Sequence, residues 1–361
     1  MIAEYIPDEI LGRAIFKPSV GSSPGEDDIP AGILRTVWSI PRGRSMLRKI
    51  IISSLSLAYV PQAWKRAIIH PLPKPGSSDF RPISLLNQVG KICERLVTWI
   101  LNDEAALIRP NQLGCRPGVS AIDAARIAHH MSALYASNKQ AFAGLFLDIT
   151  KAYDRVHTGI LLQKLHSQHN IPAWLLRWLQ SWLSDRSVAV RYQGFTSTFV
   201  PIQYGLPQGS PLSVLLFQLY INDIPIDPDD LLFMDDCAIF AAGSDPAEVY
   251  AALQAKLTRI ESWALLNRVS FGVHKCSLLP HRNRQRPSLT FFDENINSKD
   301  EITCLGINFA APSRAGQAWQ LLATSTTSQT RSSREAKFSD TCFVPATKSQ
   351  LVFSEPSSRA G

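Results

Sequence analysis

The sequence predicts a mixed α+β fold, because strand-like and helix-like patterns share residues 61–310. Residues 142–147 form a short apolar run, typical of a buried strand that ends at Asp148. Residues 231–241 contain two short strand patterns around an acidic turn, which indicates a hairpin. Residues 246–267 place apolar side chains at helical spacing. An apolar fraction of 45% excludes a wholly disordered chain.

The remaining elements follow from local patterns in chain order. Residues 21–30 have loop composition, and an amphipathic run extends from Ile33 to Leu57. Two strands, residues 187–192 and 198–202, are predicted around the Gly194 turn. Two helices precede them: residues 158–169, with Thr158 as cap, and a second from Pro172 through Leu183. A third helix, residues 212–220, follows them. From residue 313, serine and threonine supply 16 of the last 49 residues, so we predict a disordered tail.

Composition narrows the expected partners and compartment. A net charge of +7 and a pI near 9.1 fit a nucleic-acid partner without establishing one. No apolar run reaches the roughly 18 residues of a membrane span, and the acidic start lacks a secretion signal. The six cysteines lie far apart without a CxxC pair, which indicates neither a zinc site nor disulfides. We therefore expect an intracellular protein, nuclear or cytoplasmic, with no membrane partner.

The acidic turn carries the strongest chemical signal. Asp235 and Asp236 repel each other at the predicted hairpin tip, and a bound cation would relieve that repulsion. The alternative is a solvated Asp-Asp turn, since aspartate favours turns. Asp148, at the end of the predicted strand, can lie beside this tip, and Asp148 with Asp235 could then hold two magnesium ions for phosphoryl transfer. For Asp154, beside Arg155, a structural role at a helix N-terminus is preferred.

A glycine-containing segment separates two predicted elements. Residues 204–213 read Tyr-Gly-Leu-Pro-Gln-Gly-Ser-Pro-Leu-Ser and lead directly into a helix. Gly205 and Gly209 permit close backbone approach, so the helix N-terminus could face a base pair or a phosphate. An ordinary strand-to-helix turn is the alternative.

These segments, with further motifs in one colinear order, resemble the reverse transcriptase domain of non-LTR (LINE-type) retrotransposons. The additional motifs are Ser23-Pro24-Gly25-Glu26-Asp27-Asp28-Ile29-Pro30; Trp64-Lys65 through Ile69, then Pro71 and Leu72-Pro73-Lys74-Pro75-Gly76; Phe80-Arg81-Pro82-Ile83-Ser84-Leu85; Gly90-Lys91-Ile92 with Glu94-Arg95; Asn111-Gln112-Leu113-Gly114-Cys115-Arg116-Pro117-Gly118; Phe271-Gly272-Val273 with Lys275-Cys276; and Cys304-Leu305-Gly306-Ile307. The match covers about residues 20–309. Several independent motifs in order are more specific than any one of them.

The resemblance implies a right-hand polymerase with fingers, a ferredoxin-like palm sheet with helices, and an incomplete thumb. The implied divisions are 1–60, an N-terminal extension and start of the fingers; 61–141, fingers; 142–280, palm; 281–311, end of the palm and start of the thumb; and 312–361, the disordered Ser/Thr-rich tail. Because the match ends near Phe309, a truncated copy of such an element is expected.

The resemblance also implies roles for individual residues. Asp148, Asp235 and Asp236 match the catalytic metal carboxylates, with the backbone of Ile149 beside them, and Lys275 matches a candidate proton donor to pyrophosphate. The implied nucleotide-binding residues are Lys74 and Arg81 on the triphosphate, Ile149, Tyr153 as the side chain that excludes a ribose 2′-hydroxyl, and Gln208 and Gly209 over the nascent base pair. The segment 304–307 resembles a primer-grip hairpin.

The expected function is that of an RNA-directed DNA polymerase. Its implied partners are an RNA template, a DNA primer and a dNTP substrate, and its implied cofactor is a pair of Mg²⁺ ions with Mn²⁺ as an alternative. A catalytically dead remnant that at most binds nucleic acid is the second hypothesis. A group II intron maturase or another reverse transcriptase relative is disfavoured by the residues at 81–85 and 209–213, and a maturase would also be expected to carry an RNA-binding extension.

Overall fold

The computed structural model describes residues 6–74, 78–103, 108–282, 286–314 and 316–322. Its α-helices are α1 (Asp8–Phe16), α2 (Ala31–Ser39), α3 (Pro41–Ser56), α4 (Gln62–Lys65), α5 (Gln88–Asp103), α6 (Ala121–Ser137), α7 (Thr158–Ser167), α8 (Ala173–Leu183), α9 (Pro211–Tyr220) and α10 (Pro246–Asn267). Its strands are β1 (Arg66–Pro73), β2 (Phe80–Leu86), β3 (Ala141–Asp148), β4 (Arg186–Tyr192), β5 (Phe195–Thr196), β6 (Val200–Ile202), β7 (Leu231–Phe233), β8 (Asp236–Gly243), β9 (Ser277–Leu279), β10 (Ser288–Phe291), β11 (Glu294–Asn297), β12 (Glu301–Cys304), β13 (Ile307–Ala310) and β14 (Gln320–Leu322). The mixed α+β prediction is confirmed, and none of the described helices is long and apolar enough to cross a membrane.

Two sheets organise the molecule. The central sheet has the strand order β7-β8-β3-β9, and every pair in it is antiparallel. Strand β3 is buried along almost its whole length because it lies between β8 and β9 with helices packed against it. The second sheet has the order β2-β1-β4-β5, with β6 also paired to β4.

The second sheet crosses a predicted division of the chain. Strand β1 pairs in parallel with β4, so residues 66–69 lie beside residues 187–190. Strands β4 to β6 fall inside the range expected to be palm, yet they belong to the sheet that begins with β1 and β2. The boundary at residue 142 therefore does not separate the two sheets.

The N-terminal helices share the core of the central sheet. Helices α1, α2 and α3 all pack against α5, and α3 also contacts α8. Their buried side chains belong to the same apolar cluster as those of β3 and β8; examples are Leu11, Ile51, Leu96 and Leu145. Residues 6–60 are therefore built into the main core.

Most local predictions match the structure, with small differences at helix ends. The strand ending at Asp148, the acidic hairpin and the helix to Asn267 are confirmed. Thr158 is the first helical residue and does not cap its helix; the Nδ1 atom of His157 accepts the hydrogen bond from the amide of Ile160. The amphipathic run 33–57 is two helices, because Pro41 begins a new one.

The prediction of a disordered tail from residue 312 is wrong for residues 316–322. Strand β14 pairs with β13, and Trp319 is only 2% exposed. The Trp319 ring packs against four phenylalanine rings of the central sheet and β13. Its centroid lies 4.8 Å from that of Phe142, and the rings of Phe146, Phe240 and Phe309 also contact it. A side chain on Gly144 would overlap this ring, so a glycine is required there. The rest of the predicted tail lies outside the described residues.

We expect Trp319→Ala to lower the free energy of unfolding by about 3–5 kcal/mol, because it opens a large cavity against the central sheet. Urea denaturation monitored by circular dichroism measures the change. Leu321→Ala is the matched control: its side chain, two residues further along on β14, is 44% exposed, so we expect a change within about 0.5 kcal/mol. Equal stability of Trp319→Ala and the wild type would contradict the burial of this segment.

Candidate active site

The pairing of β3 with β8 places three carboxylates at one end of the central sheet. Asp148 is the direct partner of Asp236 in the antiparallel register, and Asp235 lies in the turn between β7 and β8. The amide of Ile149 donates to the carbonyl oxygen of Asp235 at 3.2 Å, which ties the end of β3 to that turn. The structure therefore places Asp148, Ile149, Asp235 and Asp236 at the same end of the central sheet.

Electrostatics at this end of the sheet favour a cation. Burial raises the pKa of Asp235, and the charge of Asp148 raises it further, while the charges of Arg81 and Lys275 act in the opposite direction. The Nζ atom of Lys275 lies 3.3 Å from Oδ2 of Asp148. Within the described residues, no group of three or more His, Cys, Asp or Glu side chains already converges as a metal site. Oxygen ligands of this kind nevertheless suit a hard divalent ion.

A short loop holds Asp148 and supplies Lys275. The amide of Gly272 donates to the carbonyl oxygen of Asp148 at 2.9 Å, and the amide of Thr150 donates to that of Ser270 at 2.8 Å. A Cβ on Gly272 would lie 2.9 Å from Oγ1 of Thr150, so a larger residue there would displace the Thr150 side chain. Lys275 ends the 3-10 helix that follows the glycine.

Tyr153 lies between the end of β3 and the segment 204–213. Its ring is half-buried and stacks on Phe217 of α9 with a centroid distance of 5.2 Å. Its carbonyl oxygen accepts from the amide of Leu206 at 2.8 Å. Asp154 is not a helix N-terminal acid as predicted, because residues 151–155 form turns and its Oδ1 accepts from Nε2 of Gln208 at 3.0 Å.

The Gln208-Gly209 backbone docks against the second sheet. The amide of Ser84 on β2 donates to the carbonyl oxygen of Gln208 at 2.6 Å. Gly209 has a φ of +130°, and a Cβ there would lie 2.6 Å from the carbonyl oxygen of Ser84. The segment thus connects β2 to α9, with both residues partly exposed beside Tyr153.

Glu94 anchors the start of α9, a role that the sequence did not reveal. Ser210 caps α9 by accepting from the amides of Leu212 and Ser213, and its Oγ donates to Oε2 of Glu94 at 2.7 Å. Nε1 of Trp182 donates to the other oxygen at 3.0 Å. Glu94 is only 1% exposed. A carboxylate among apolar residues at helical spacing in residues 88–103 is the signal that could have identified it.

The predicted triphosphate contacts lie on the β1–β2 hairpin. Arg81 is exposed, faces Leu72 across the hairpin, and lowers the pKa of Asp235 by its charge. Lys74 is engaged elsewhere, with its Nζ 3.7 Å from Oδ2 of Asp79. Arg81 therefore acts electrostatically on the carboxylate cluster, whereas Lys74 is paired within its own hairpin.

The predicted primer-grip segment is the turn between β12 and β13. Cys304 and Ile307 are register partners, and Leu305 and Gly306 adopt positive φ angles of 53° and 77°. Burial raises the pKa of the Cys304 thiol to about 12, and the negative charge of Asp236 acts in the same direction. The turn is thus within electrostatic reach of the carboxylate end of the sheet.

The chain matches a protein family and several curated proteins. Residues 72–309 match the family model described as "Reverse transcriptase (RNA-dependent DNA polymerase)". The RNA-directed DNA polymerase from mobile element jockey of Drosophila melanogaster is 30% identical over 296 residues, which cover 76% of this chain and 32% of the relative. The probable RNA-directed DNA polymerase from transposon X-element of the same species is 32% identical, with coverage of 76% and 31%. The chain thus spans about a third of the length of these relatives.

Among solved structures, apo telomerase from Candida tropicalis truncated from its C-terminal domain superposes with a TM-score of 0.47 at 13% identity, over 73% of this chain and 56% of that chain. A likeness this distant adds nothing to the family match. The family model spans most of the chain, including β3, the acidic hairpin and the segment 204–213. The chain therefore belongs to the reverse transcriptase (RNA-dependent DNA polymerase) family, and its relatives are the reverse transcriptase domains of non-LTR retrotransposons.

Proposed function

We propose that this chain is an RNA-directed DNA polymerase domain that transfers a dNMP unit to the 3′-hydroxyl of a DNA primer paired to an RNA template. The observation that carries the proposal is that the β3–β8 register and the β7–β8 turn place Asp148, Asp235 and Asp236 at one end of the central sheet, beside Lys275 and under the electrostatic influence of Arg81. Carboxylates flanked by cations are the groups that phosphoryl transfer requires, because the reaction depends on positioning and charge stabilisation.

Reverse transcriptases generally use divalent metal ions. We assign Asp148, Asp235 and Asp236, with the backbone of Ile149, as the ligands of two Mg²⁺ ions, which Mn²⁺ can replace. Such ions stabilise the attacking and leaving oxygens of the displacement. The residues suit them, because the Asp235 carboxyl is partly buried beside a second carboxylate and its charged form needs a positive partner. The ion pair of Asp148 with Lys275 shows that a cation is already accommodated there.

The surrounding residues would hold the incoming nucleotide. Tyr153 presents its ring next to the carboxylate end of β3 and is braced by Phe217, which suits a steric barrier to a ribose 2′-hydroxyl. The backbone of Gln208 and Gly209 offers a surface over the nascent base pair. Lys74 and Arg81 would neutralise the triphosphate, and Lys74 would leave Asp79 to do so. Lys275 would donate the proton that pyrophosphate needs on departure.

The same proposal divides the chain into functional parts. The central sheet with its helices would be the palm, and the sheet of β1, β2 and β4 would belong to the fingers. The β12–β13 turn would contact the primer strand, because it lies near Asp236. Nucleic-acid binding through the basic side chains of these parts would weaken as salt rises.

We expect Asp235→Asn to reduce primer extension on poly(rA)/oligo(dT) with Mg²⁺ by at least about a thousandfold, because it removes a charged metal ligand. Incorporation of labelled dTTP measures the rate. Asp229→Asn is the matched control, since Asp229 is an exposed aspartate outside the site, and it should retain the wild-type rate. Equal rates for the wild type and Asp235→Asn would reject the proposed catalysis, and an inactive wild type that still binds the duplex would favour the non-catalytic alternative.

We expect Tyr153→Val to raise the efficiency of rNTP incorporation relative to dNTP by about 10–200-fold, the range that one steric contact controls. The loss of the ring opens the space beside Phe217 that a 2′-hydroxyl would occupy. Single-nucleotide extension with dTTP and UTP gives both values of kcat/KM. Tyr192→Val, at an exposed tyrosine on β4, should leave the ratio unchanged. Unchanged discrimination by Tyr153→Val would remove Tyr153 from the nucleotide site.

A further inference from the structure

We infer that the segment Asn111–Gly114 fixes the turn that carries Asp235 and Asp236, and that Gln112 is its positioning residue. The sequence singled out this segment as a motif, and neither the carboxylates nor the nucleotide site uses its side chains. The catalytic consequence of the inference rests on the proposed polymerase function, whereas its structural consequence does not.

The acidic turn needs an external constraint. Met234 adopts a left-handed conformation with a φ of +59°, although it has a side chain. This conformation is unfavourable for a residue other than glycine, and it persists only where the surroundings impose it. Because Met234 directly precedes Asp235, its backbone angles set the direction in which the first carboxylate of the pair leaves the turn.

Gln112 supplies that constraint through one atom. Its Oε1 accepts hydrogen bonds from the amide of Met234 and from the amide of Gly114, each at 3.1 Å. The side chain is only 1% exposed, so no solvent competes for these bonds. Its Nε2 has no hydrogen-bond partner among the described residues. The oxygen alone therefore makes the contact with the turn. Without this acceptor the buried amide of Met234 would lose its hydrogen bond, which would destabilise the folded turn.

The backbone of the segment reinforces the contact. The amide of Leu113 donates to the carbonyl oxygen of Leu232 at 2.7 Å, and the amide of Leu232 donates to that of Asn111 at 2.9 Å. The segment thus runs parallel to β7 as a further edge of the central sheet. These bonds fix the strand before the turn, and Gln112 fixes the turn itself.

Gly114 lets the segment approach the turn, and α9 holds it from the other side. A Cβ on Gly114 would lie 2.5 Å from the amide nitrogen of Met234, so any side chain would push the turn away. Nε2 of Gln218 on α9 donates to the carbonyl oxygen of Gly114 at 2.7 Å. Helix α9 begins directly after Gln208 and Gly209, so one segment connects the acidic turn to the helix that follows the proposed nucleotide surface.

Two variants of Gln112 and one variant of a distant glutamine test the inference. Gln112→Met keeps the size of the side chain and removes the acceptor oxygen. Gln112→Glu keeps an acceptor oxygen whether the carboxyl is ionised or protonated. Gln254→Met is the matched control, because Oε1 of Gln254 on α10 also accepts from a backbone amide, that of Thr290 at 2.8 Å, and makes no contact with the turn.

The first measurement is hydrogen–deuterium exchange of the Met234 amide in the full chain without nucleic acid. We expect Gln112→Met to accelerate exchange at this amide about tenfold, since one buried hydrogen bond is lost. Gln112→Glu and Gln254→Met should stay within about twofold of the wild type. An unchanged rate in Gln112→Met, or an equal acceleration in Gln254→Met, would overturn the inference.

The second measurement is the Mg²⁺ concentration that gives half-maximal primer extension. We expect Gln112→Met to raise it at least about threefold and to lower kcat about tenfold, because the carboxylates are displaced from their positions. Gln254→Met should leave the Mg²⁺ requirement at the wild-type value. An unchanged Mg²⁺ requirement in an active Gln112→Met variant would also overturn the inference. An inactive wild type would instead refute the proposed function, and the exchange measurement would still decide the role of Gln112.

Discussion

The antiparallel pairing of β3 with β8 is the interaction on which the site depends. Its register sets Asp148 opposite Asp236, and a slip by one residue would turn one of these side chains to the opposite face of the sheet. The register is strongly specified because β3 is buried between two strands, with Gly144 paired to Leu279 on its other side. The turn between β7 and β8 then needs only local constraints to present Asp235.

Buried polar groups supply these local constraints from the surrounding elements. Asp230 is fully buried, yet it accepts from the amide of Phe240 at 2.8 Å and pairs with Lys256 at the same distance. Burial raises its pKa, and Lys256 opposes that rise. Glu94 likewise fixes the start of α9 by accepting hydrogen bonds from Ser210 and Trp182. A buried carboxylate with all its partners in place fixes a unique arrangement, whereas the loss of one partner leaves a charge uncompensated.

The sequence predicted the parts of the site that depend on neighbouring residues. The acidic hairpin and the strand ending at Asp148 each leave a signal within a few positions of the chain. The role of Glu94 was not predictable, because Ser210 lies more than 100 residues away and only the fold brings the two together. The same holds for Gln112 and Met234.

The tail prediction failed for a different reason. Serine and threonine dominate the average composition from residue 313, but Trp319 and its neighbours are a short apolar group within that average. The burial of Trp319 depends on Gly144, whose missing side chain leaves room for the indole ring. An average composition over many residues does not reveal a single buried aromatic residue such as Trp319. The local sequence also does not indicate which surface its ring will cover.

The parallel pairing of β1 with β4 also sets an order of events during synthesis. Strand β1 ends at Pro73, whereas β4 begins only at Arg186, so the β1–β2 hairpin leaves the ribosome well before its second neighbour. At a synthesis rate of about 5–20 residues per second, this edge of β1 remains unpaired for roughly 5–25 s before β4 is made. Such an unpaired edge is open to pairing with other chains, and completion of this sheet requires a contact of long sequence separation, which forms slowly. Co-translational folding of this polymerase domain is therefore exposed to aggregation at the β1 edge, far from the residues that carry its chemistry.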